Sequence, residues 1–286
     1  MSTPWGPAPD ALRTSEDVEF RSQASDGPDA DSCAARFLEE GYLFVDDILA
    51  GDALAEAQSA YRAALEPERL AWADAVAAGE AAGPDGSNTA PGRYNSQYFD
   101  LPRIVEQHGC FLDIVTHPRL VSVLERVVGP DVQILNVQCR NYPAQELEVA
   151  EAHGAYSGWH NDRGYGVLFE NARTLHVVVI FTFFDVDVDG GCTAVVPGSH
   201  LMYDKSPLLG AAPPEPNQAL RQLGMPGAVA ANLRAGSAVI FDERTLHSAL
   251  PNVGGTDRCT ITTRYAPFWV KQTVSIVQHF PNTFAT

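Results

Sequence analysis

Two kinds of apolar pattern follow one another along the chain, and the change occurs near residue 131. Before it, apolar side chains recur at helical spacing, as in SCAARFLEEGY, where Gly41 is expected to end a helix. The run YLFVDDIL predicts a short strand, and a second helix is predicted over about residues 52–65. Residues 80–93 are rich in Gly, Pro, Ser and Asn, which predicts a surface loop.

Two more helices are predicted in LPRIVEQHGCFLDIV and PRLVSVLERVVG, and Gly129-Pro130 is a stop signal for the second. The first 130 residues are therefore expected to be mostly helical. Residues 1–30 contain few clustered apolar side chains and many Pro, Ser, Asp and Gly, so we predict a flexible N-terminal tail there. Residues 31–286 are predicted to form a single domain.

Beyond Asp131 the sequence consists of β-branched and aromatic runs separated by turns. Five such runs predict strands: DVQILNVQCRNY, RTLHVVVIFTFFDV, CTAVVPGSH, GSAVIFDERTLHSAL and RCTITTRYAPFWV. Because loops and not helices connect them, they predict an antiparallel double sheet or barrel with the N-terminal helices packed outside. The fold class is thus mainly β with flanking α-helices.

The first of these strands has one polar face. Its period-2 alternation places Asn136, Gln138 and Arg140 on one side, opposite Leu135, Val137 and Cys139. This polar face could point to solvent, or it could line the mouth of a barrel and orient a ligand there. The strand alone does not decide between the two.

Composition narrows the function classes. The 19 basic and 36 acidic residues give a net charge of −17, which argues against binding to nucleic acid or to an anionic membrane surface. The acidic excess could attract a cationic substrate, although we favour a solvated surface that keeps the protein soluble. Five scattered cysteines without a C-x-x-C pair indicate neither a disulfide framework nor a zinc ribbon. With no export signal or membrane-length apolar segment, we expect a cytoplasmic protein.

The segment SGWHNDRGYG contains the chain's H-x-D motif, His160-Asn161-Asp162. On a strand or its edge, residues i and i+2 point the same way, so an imidazole and a carboxylate can reach one cation. The best third ligand is His247, at the end of an apolar strand and before a Pro-Asn turn. Two His and one carboxylate leave three octahedral positions open on non-haem iron, and the strand context favours iron over zinc.

Arg258 follows His247 by eleven residues, on the strand after the GGTD turn. We expect a hairpin here that brings the guanidinium close to the metal, where it could anchor a dicarboxylate through paired hydrogen bonds. Two alternatives stay open at this point. Arg258 could form a surface ion pair, or Arg264, six residues later on the same face, could be the true anchor; we favour Arg258.

Taken together, these segments resemble a known family. HND, DGGCTAVVPGSH, the strand ending in His247, Asn252 in LPN, and Arg258 are similar to the phytanoyl-CoA dioxygenase family of iron(II)- and 2-oxoglutarate-dependent oxygenases. The resemblance extends from about residue 34 to residue 268. It implies a double-stranded β-helix core, the jelly-roll or cupin-like fold, with helices packed on one sheet.

The resemblance also implies roles for individual residues. It makes His160, Asp162 and His247 the catalytic iron ligands, and Arg258 the partner of the distal 2-oxoglutarate carboxylate. Halogenating relatives replace the Asp by Gly or Ala to admit chloride, so the presence of Asp162 argues against halogenation. The implied cofactors and co-substrates are Fe(II), 2-oxoglutarate and O2.

Further residues of the co-substrate site are implied by similarity to particular relatives. Thr193 stands where relatives use the Thr of an N-G-A-T segment to contact 2-oxoglutarate. Gln138 and Arg140, in QCRNYP, resemble the R-x-Y-P strand of relatives that act on small natural products, so Gln138 is a co-substrate candidate and Arg140 a substrate candidate. His176 and His200 are expected to support the core or the site without binding metal.

The substrate pocket is outlined only by neighbouring side chains. Tyr98 lies in RYNSQYFDLP, interpreted as a helical segment that relatives fold over the opening. The aromatic residues could equally belong to the core. The candidates for substrate contacts are Arg140, Trp159, Arg163, Tyr165, Phe169 and Tyr98.

The resemblance implies that the protein hydroxylates a small molecule while converting 2-oxoglutarate to succinate and carbon dioxide. With −17 net charge and only two lysines, the chain offers few obvious clamps for the phosphates of coenzyme A. We therefore expect a CoA-free metabolite, a natural-product intermediate whose apolar body the aromatic side chains hold and whose carboxylate Arg140 could meet. The alternatives are an acyl-CoA hydroxylase, a catalytically inactive jelly-roll binding protein, and a 2-oxoglutarate-independent metalloenzyme.

Overall fold

The computed structural model describes residues 13–17, 29–81, 94–146, 159–162, 174–202 and 227–270. The α-helices in these ranges are α1 (Ala30–Glu40), α2 (Gly51–Ala77), α3 (Ile104–Gln107), α4 (Gly109–Val115) and α5 (Pro118–Val128). The strands are β1 (Arg13–Thr14), β2 (Tyr42–Val45), β3 (Phe99–Leu101), β4 (Val132–Tyr142), β5 (Val177–Thr182), β6 (Thr193–Val195), β7 (Val229–Ala230), β8 (Ala238–Asp242), β9 (His247–Ala249) and β10 (Arg258–Pro267).

The strands form two sheets. The major sheet has six strands in the order β2-β8-β5-β10-β4-β3, and all its neighbours are antiparallel. The minor sheet has four strands in the order β1-β7-β6-β9, antiparallel except for the β1–β7 pair. This arrangement confirms the predicted fold class, mainly β with an antiparallel double sheet.

The two faces of the major sheet have different neighbours. On β4, Val137 and Cys139 are buried in an apolar cluster that includes Phe37 of α1, Tyr61 of α2 and Phe111 of α4. The alternate residues of β4, including Gln138 and Arg140, line a cavity together with residues of the minor sheet. The helices therefore pack outside, as predicted, and the polar face of β4 points inward instead of to solvent.

The segment RYNSQYFDLP is not helical where the structure describes it, so that prediction was wrong. Tyr94 and Phe99 form an antiparallel bridge, and β3 then pairs with the edge of β4. Between them the Asn95 side chain accepts a hydrogen bond from the Gln97 backbone N–H, and the Asn95 N–H donates to the Tyr98 carbonyl. Asn side chains stabilise turns by this local bonding, which competes with a helix.

The run GSAVIFDERTLHSAL forms two strands, and they lie in different sheets. β8 belongs to the major sheet and β9 to the minor sheet. Between them, the Thr245 N–H donates to the Asp242 carbonyl, and the Asp242 carboxylate accepts from the Arg244 N–H and guanidinium. The predicted hairpin between the strands of His247 and Arg258 is likewise wrong, because β9 and β10 lie in opposite sheets.

Helix α2 is longer than predicted, since it extends past Pro67 to Ala77 instead of ending near residue 65. Its second half is held by Trp72, which stacks on Phe99 at 5.5 Å and donates its indole N–H to the Asn95 carbonyl. Tertiary packing thus compensates for the proline, which removes a backbone donor. None of the described helices is both long and apolar enough to cross a membrane.

Part of the predicted N-terminal tail is described. Arg13 and Thr14 pair in parallel with Val229 and Ala230 of β7, and the Ser15 hydroxyl donates to the Asn232 carbonyl. This short piece is therefore joined to the edge of the minor sheet. The division into a tail and a single domain stays a prediction.

We predict that Gly41→Ala destabilises the protein more than Gly79→Ala. Both glycines have left-handed backbone, with φ of +82° and +72°. A Cβ at Gly41 would overlap the His200 ring and lie 2.8 Å from Thr245 Oγ1, whereas Gly79 has open space. Strain alone lowers the free energy of unfolding by about 1–2 kcal/mol, and the overlap adds about 1–3 kcal/mol. Equal losses in chemical denaturation would contradict this account.

Candidate metal centre and anion pocket

A backbone bridge between the sheet edge and the H-x-D segment brings the metal-ligand candidates together. The His160 N–H donates to the His247 carbonyl at 3.1 Å, and the His247 N–H donates to the His160 carbonyl at 2.9 Å. Asp162, two residues later, donates its N–H to the Glu243 carbonyl at 3.0 Å. The predicted i, i+2 arrangement is therefore present, at the edge of β9.

The three side chains converge on one point. Asp162 Oδ1 lies 3.7 Å from His160 Nε2 and 3.9 Å from His247 Nε2, and one ligand atom from each residue lies within 4.8 Å of the others. His247 Nδ1 is 3.0 Å from the Thr245 carbonyl, which accepts a hydrogen bond from the Nδ1–H tautomer and leaves Nε2 free to bind a cation. A single metal ion can contact all three groups.

The electrostatics favour the forms of these groups that bind metals. Burial lowers the pKa of His247 to about 4, although the Asp162 carboxylate opposes this shift, so the imidazole is neutral at pH 7. Burial raises the pKa of Asp162, but His247, Arg264 and His160 outweigh it and hold the pKa below its usual value. A neutral imidazole and an ionised carboxylate are the protonation states that coordination requires.

The two arginines proposed as alternatives for the anion anchor have different partners. Arg264 donates from Nη2 to Asp162 Oδ2 at 3.0 Å, so it contacts the metal-ligand candidate itself. Arg258 donates from Nη2 to Thr193 Oγ1 at 2.8 Å, and its guanidinium lies 5.0 Å from the centre of the Tyr142 ring. Arg258 is only 6% exposed, which excludes the surface ion pair considered from the sequence.

Arg258 reaches the site by a different route from the one predicted. It begins β10, at the centre of the major sheet, and Thr193 begins β6 in the minor sheet. The contact therefore joins the two sheets across the interior. Asn252 supports this geometry, because its side-chain amide donates to the carbonyls of Tyr142 and Thr256, on either side of the approach to β10.

The cavity between the sheets has a volume of about 110 Å³, and most of the predicted site residues that the structure describes line it. Its apolar wall includes Val178, Ile180 and Phe241. Its polar lining brings the metal-ligand candidates and Arg258, the candidate anion anchor, into one space. These polar residues are Gln138, Arg140, His160, Asp162, Thr193, His247, Arg258, Thr260, Thr262 and Arg264.

Arg140 has a partner that the sequence did not indicate. It donates to both carboxylate oxygens of Asp100, at 2.8 and 2.9 Å, and its guanidinium lies 4.1 Å from the centre of the Tyr98 ring. Burial alone would lower the pKa of Arg140, but the hydrogen bonds to Asp100 raise it above its usual value. Arg140 therefore forms a fixed part of the wall on the side of β3 and β4.

The other substrate candidates are distributed differently. Trp159 is partly buried and packs against the apolar cluster between the two sheets, so the alternative core role fits it. Arg163, Tyr165 and Phe169 lie outside the described residues. His176 Nδ1 lies 2.5 Å from Glu243 Oε2, and His200 Nε2 lies 3.0 Å from the Leu38 carbonyl. Neither histidine joins the ligand cluster, as expected from the sequence.

Sequence reasoning missed several residues of the cavity region, among them Tyr142, Thr260 and Thr262, and it missed Asp100 and one contact. Tyr142 shares the inward alternation of Gln138 and Arg140, so the periodicity could have found it. Asp100 reaches Arg140 only through the pairing of β3 with β4, for which the sequence carries no local signal. The contact of Arg264 with Asp162 likewise depends on the packing of distant segments.

Comparisons with known proteins agree with this geometry. The family model "Phytanoyl-CoA dioxygenase (PhyH)" matches residues 37–260. The ectoine dioxygenase of Stutzerimonas stutzeri (strain A1501) is 24% identical over an alignment of 259 residues, which covers 85% of this chain and 79% of that protein. The match thus extends over most of the chain and includes every metal-ligand candidate.

Solved structures of similar fold contain a metal and the keto acid. The epimerase SnoN in complex with Fe3+, alpha ketoglutarate and nogalamycin RO superposes with a TM-score of 0.60 at 21% identity, covering 90% of this chain and 92% of that one. HygX from Streptomyces hygroscopicus, with nickel and 2-oxoglutarate bound, has a TM-score of 0.56 at 15% identity, covering 84% and 88%. Together with the family match, they confirm the jelly-roll core, and we conclude that the chain belongs to the phytanoyl-CoA dioxygenase family and is a 2-oxoglutarate-dependent dioxygenase.

Proposed function

We propose that the protein hydroxylates a small, CoA-free metabolite, using Fe(II), 2-oxoglutarate and O2. The observation that carries this proposal is that the metal-ligand candidates and the Arg258–Thr193 pair line the same cavity. A keto acid must reach a metal with one end and a cation with its distal carboxylate. One narrow cavity between the two sheets provides both contacts.

The donor set fits an iron ion. We assign His160, Asp162 and His247 as its ligands, since two imidazoles and one carboxylate on one side leave three positions open. When bound, Fe(II) supplies the oxidation chemistry that converts 2-oxoglutarate to succinate and carbon dioxide and oxidises the substrate. The Thr245 carbonyl orients His247, and the Glu243 carbonyl fixes the backbone of Asp162.

We assign Arg258 as the anchor of the distal 2-oxoglutarate carboxylate. Its guanidinium is buried, and Thr193 Oγ1 and the Tyr142 ring hold it in one orientation. Charge-assisted hydrogen bonds are about twice as strong as neutral ones, so a buried, oriented guanidinium is well suited to select a dicarboxylate. Thr193 and Gln138 line the same cavity and are assigned as further polar contacts of the co-substrate.

We propose a natural-product intermediate as the substrate. The support is the likeness to SnoN, whose structure contains nogalamycin RO. Arg140 is occupied by both oxygens of Asp100, so we assign it to shaping the pocket wall with Tyr98 and no longer to a substrate carboxylate. A substrate meeting this wall would find an ion pair and an aromatic ring, which suits a body with hydroxyl groups and apolar rings.

The acyl-CoA alternative is less well supported. The described arginines that line the cavity are Arg140, Arg258 and Arg264, and each contacts a carboxylate or hydroxyl of the protein itself. None of these three is placed to clamp the phosphates of coenzyme A. The alternative of an inactive binding protein is disfavoured because all three ligand candidates and Arg258 are in place.

We also propose a cytoplasmic location. All five cysteines are buried free thiols, a state that fits a reducing compartment.

Anaerobic Fe(II) and 2-oxoglutarate should give the wild-type protein a weak visible charge-transfer band, because the keto acid occupies two metal positions. His160→Ala or Asp162→Ala should abolish the band, since each removes a proposed ligand. His108→Ala, which changes a half-exposed histidine on another part of the chain, is the matched control and should keep it. A band of undiminished intensity in both ligand variants would refute the assignment.

Arg258→Met should weaken 2-oxoglutarate binding by roughly 10- to 150-fold, since hydrogen bonds between charged groups contribute about 1.5–3 kcal/mol. Affinity for Co(II), measured by titration calorimetry without the keto acid, should stay unchanged. Arg126→Met, which removes an exposed arginine paired with Asp31, is the control for loss of charge. Unchanged affinity for 2-oxoglutarate in Arg258→Met would remove the anchor assignment.

A panel of candidate substrates, followed by succinate release, should show turnover with CoA-free metabolites. Matched pairs of free acids and their CoA thioesters provide the internal comparison, because each pair differs only in the phosphate-bearing carrier. We expect the thioesters to give no faster release than the free acids. Clearly faster turnover of the thioesters would select the acyl-CoA alternative and leave the iron site intact.

A further inference from the structure

The Asp162 carboxylate has its two oxygens turned to different partners. Oδ1 faces the two imidazoles, at 3.7 Å from His160 Nε2 and 3.9 Å from His247 Nε2. Oδ2 accepts a hydrogen bond from Arg264 Nη2 at 3.0 Å. The oxygen that Arg264 holds is thus the one that does not point to the centre of the ligand cluster.

Arg264 is held in this position by the sheet. It lies on β10, opposite Val178 of β5 and Asn136 of β4, with neighbouring strands on both sides. The register between β10 and β4 shifts directly after Arg264, because β4 contributes one extra residue, Leu135, at this point. The pairing of β10 with β5 continues without a shift, so the backbone of Arg264 is fixed by the sheet and its guanidinium by the ion pair.

The number of metal positions makes this contact important. Two imidazoles and one carboxylate oxygen occupy three positions of an octahedral ion, the keto acid needs two, and one is left for oxygen. A carboxylate can also bind a cation through both oxygens. If Asp162 did so, its second oxygen would take the position that is left for O2 when the keto acid is bound.

We propose that Arg264 is a positioning residue that keeps Asp162 a one-oxygen ligand, so that the metal retains three exchangeable positions. This inference rests on the proposed function. It assigns the two arginines of β10 separate roles, because Arg258 binds the distal end of the keto acid whereas Arg264 acts through Asp162.

The experiment compares two keto acids that chelate a metal in the same way. Pyruvate has the 2-oxo acid group of 2-oxoglutarate and lacks its distal carboxylate. Full-length wild-type protein, Arg264→Met, Arg264→Lys and Arg258→Met are titrated with each keto acid under anaerobic Fe(II), and the charge-transfer band is followed. Each keto-acid complex is then titrated with nitric oxide, which takes a single metal position in the place of O2, and the electron paramagnetic resonance signal of the adduct is followed. Co(II) affinity and circular dichroism are measured on the same samples without keto acid.

In Arg264→Met we expect the affinity of both keto-acid complexes for nitric oxide to fall by about 10- to 100-fold, the range for loss of a group that orients a metal ligand, because a second Asp162 oxygen would leave only the two positions that the keto acid needs. The affinities for the two keto acids should change little. Co(II) affinity should not fall, because Asp162 then has a second oxygen to offer. Arg264→Lys keeps the charge and a donor and should recover most of the affinity for nitric oxide. Arg258→Met should lose affinity for 2-oxoglutarate alone.

Three results would overturn the inference. A loss confined to 2-oxoglutarate in Arg264→Met would make Arg264 an anchor of the distal carboxylate. Unchanged affinity for nitric oxide in both keto-acid complexes of Arg264→Met would show that the ion pair does not limit coordination. Loss of Co(II) binding in folded Arg264→Met would mean that the pair holds the ligand in place and does not limit it to one oxygen. Absence of a band in the wild-type protein would instead refute the proposed function.

Discussion

The backbone pairing of β10 with both of its neighbours is the constraint on which the site depends. β10 is hydrogen-bonded to β4 along one edge and to β5 along the other, so its register cannot slip by one residue without turning every inward side chain outward. Arg258 and Arg264 face the cavity, whereas Ile261 and Tyr265 face the helical layer. The pairing of one strand therefore positions both arginines, Arg264 beside the proposed metal ligands and Arg258 in the proposed anion pocket.

The cavity between the sheets has a polar lining, and two carboxylates in or beside it are paired with arginines of the protein itself. Asp162 pairs with Arg264, and Asp100 pairs with Arg140. An unpaired buried charge would destabilise the fold strongly, while a paired and hydrogen-bonded one is tolerated. The pairs also orient the side chains, since Arg140 donates to both oxygens of Asp100 and Arg264 donates to one oxygen of Asp162.

The helical layer contributes to the site from a distance. Arg69 of α2 donates to Asp257, the residue before Arg258, and the other oxygen of Asp257 accepts from the Ala144 N–H. Asn252 secures the same turn through the Thr256 carbonyl. Arg258, the proposed anchor, thus starts from a turn that is fixed by contacts from the helix, from the end of β4 and from the preceding loop. A contact from helix α2 therefore helps to fix the position at which Arg258 enters the cavity.

The sequence by itself determined the main strands after residue 131, the existence of a polar face on β4 and the metal-ligand candidates, because these follow from local periodicity and from the i, i+2 geometry of an extended chain. The inward direction of that polar face was decided by the tertiary structure. Only the tertiary structure decided that β8 and β9 part into different sheets, that RYNSQYFDLP ends in an edge strand, and that Arg258 reaches Thr193 across the interior. It also decided which carboxylates bind Arg140 and Arg264. Such contacts join residues from 40 to more than 100 positions apart, and no local pattern encodes which distant segment will lie alongside.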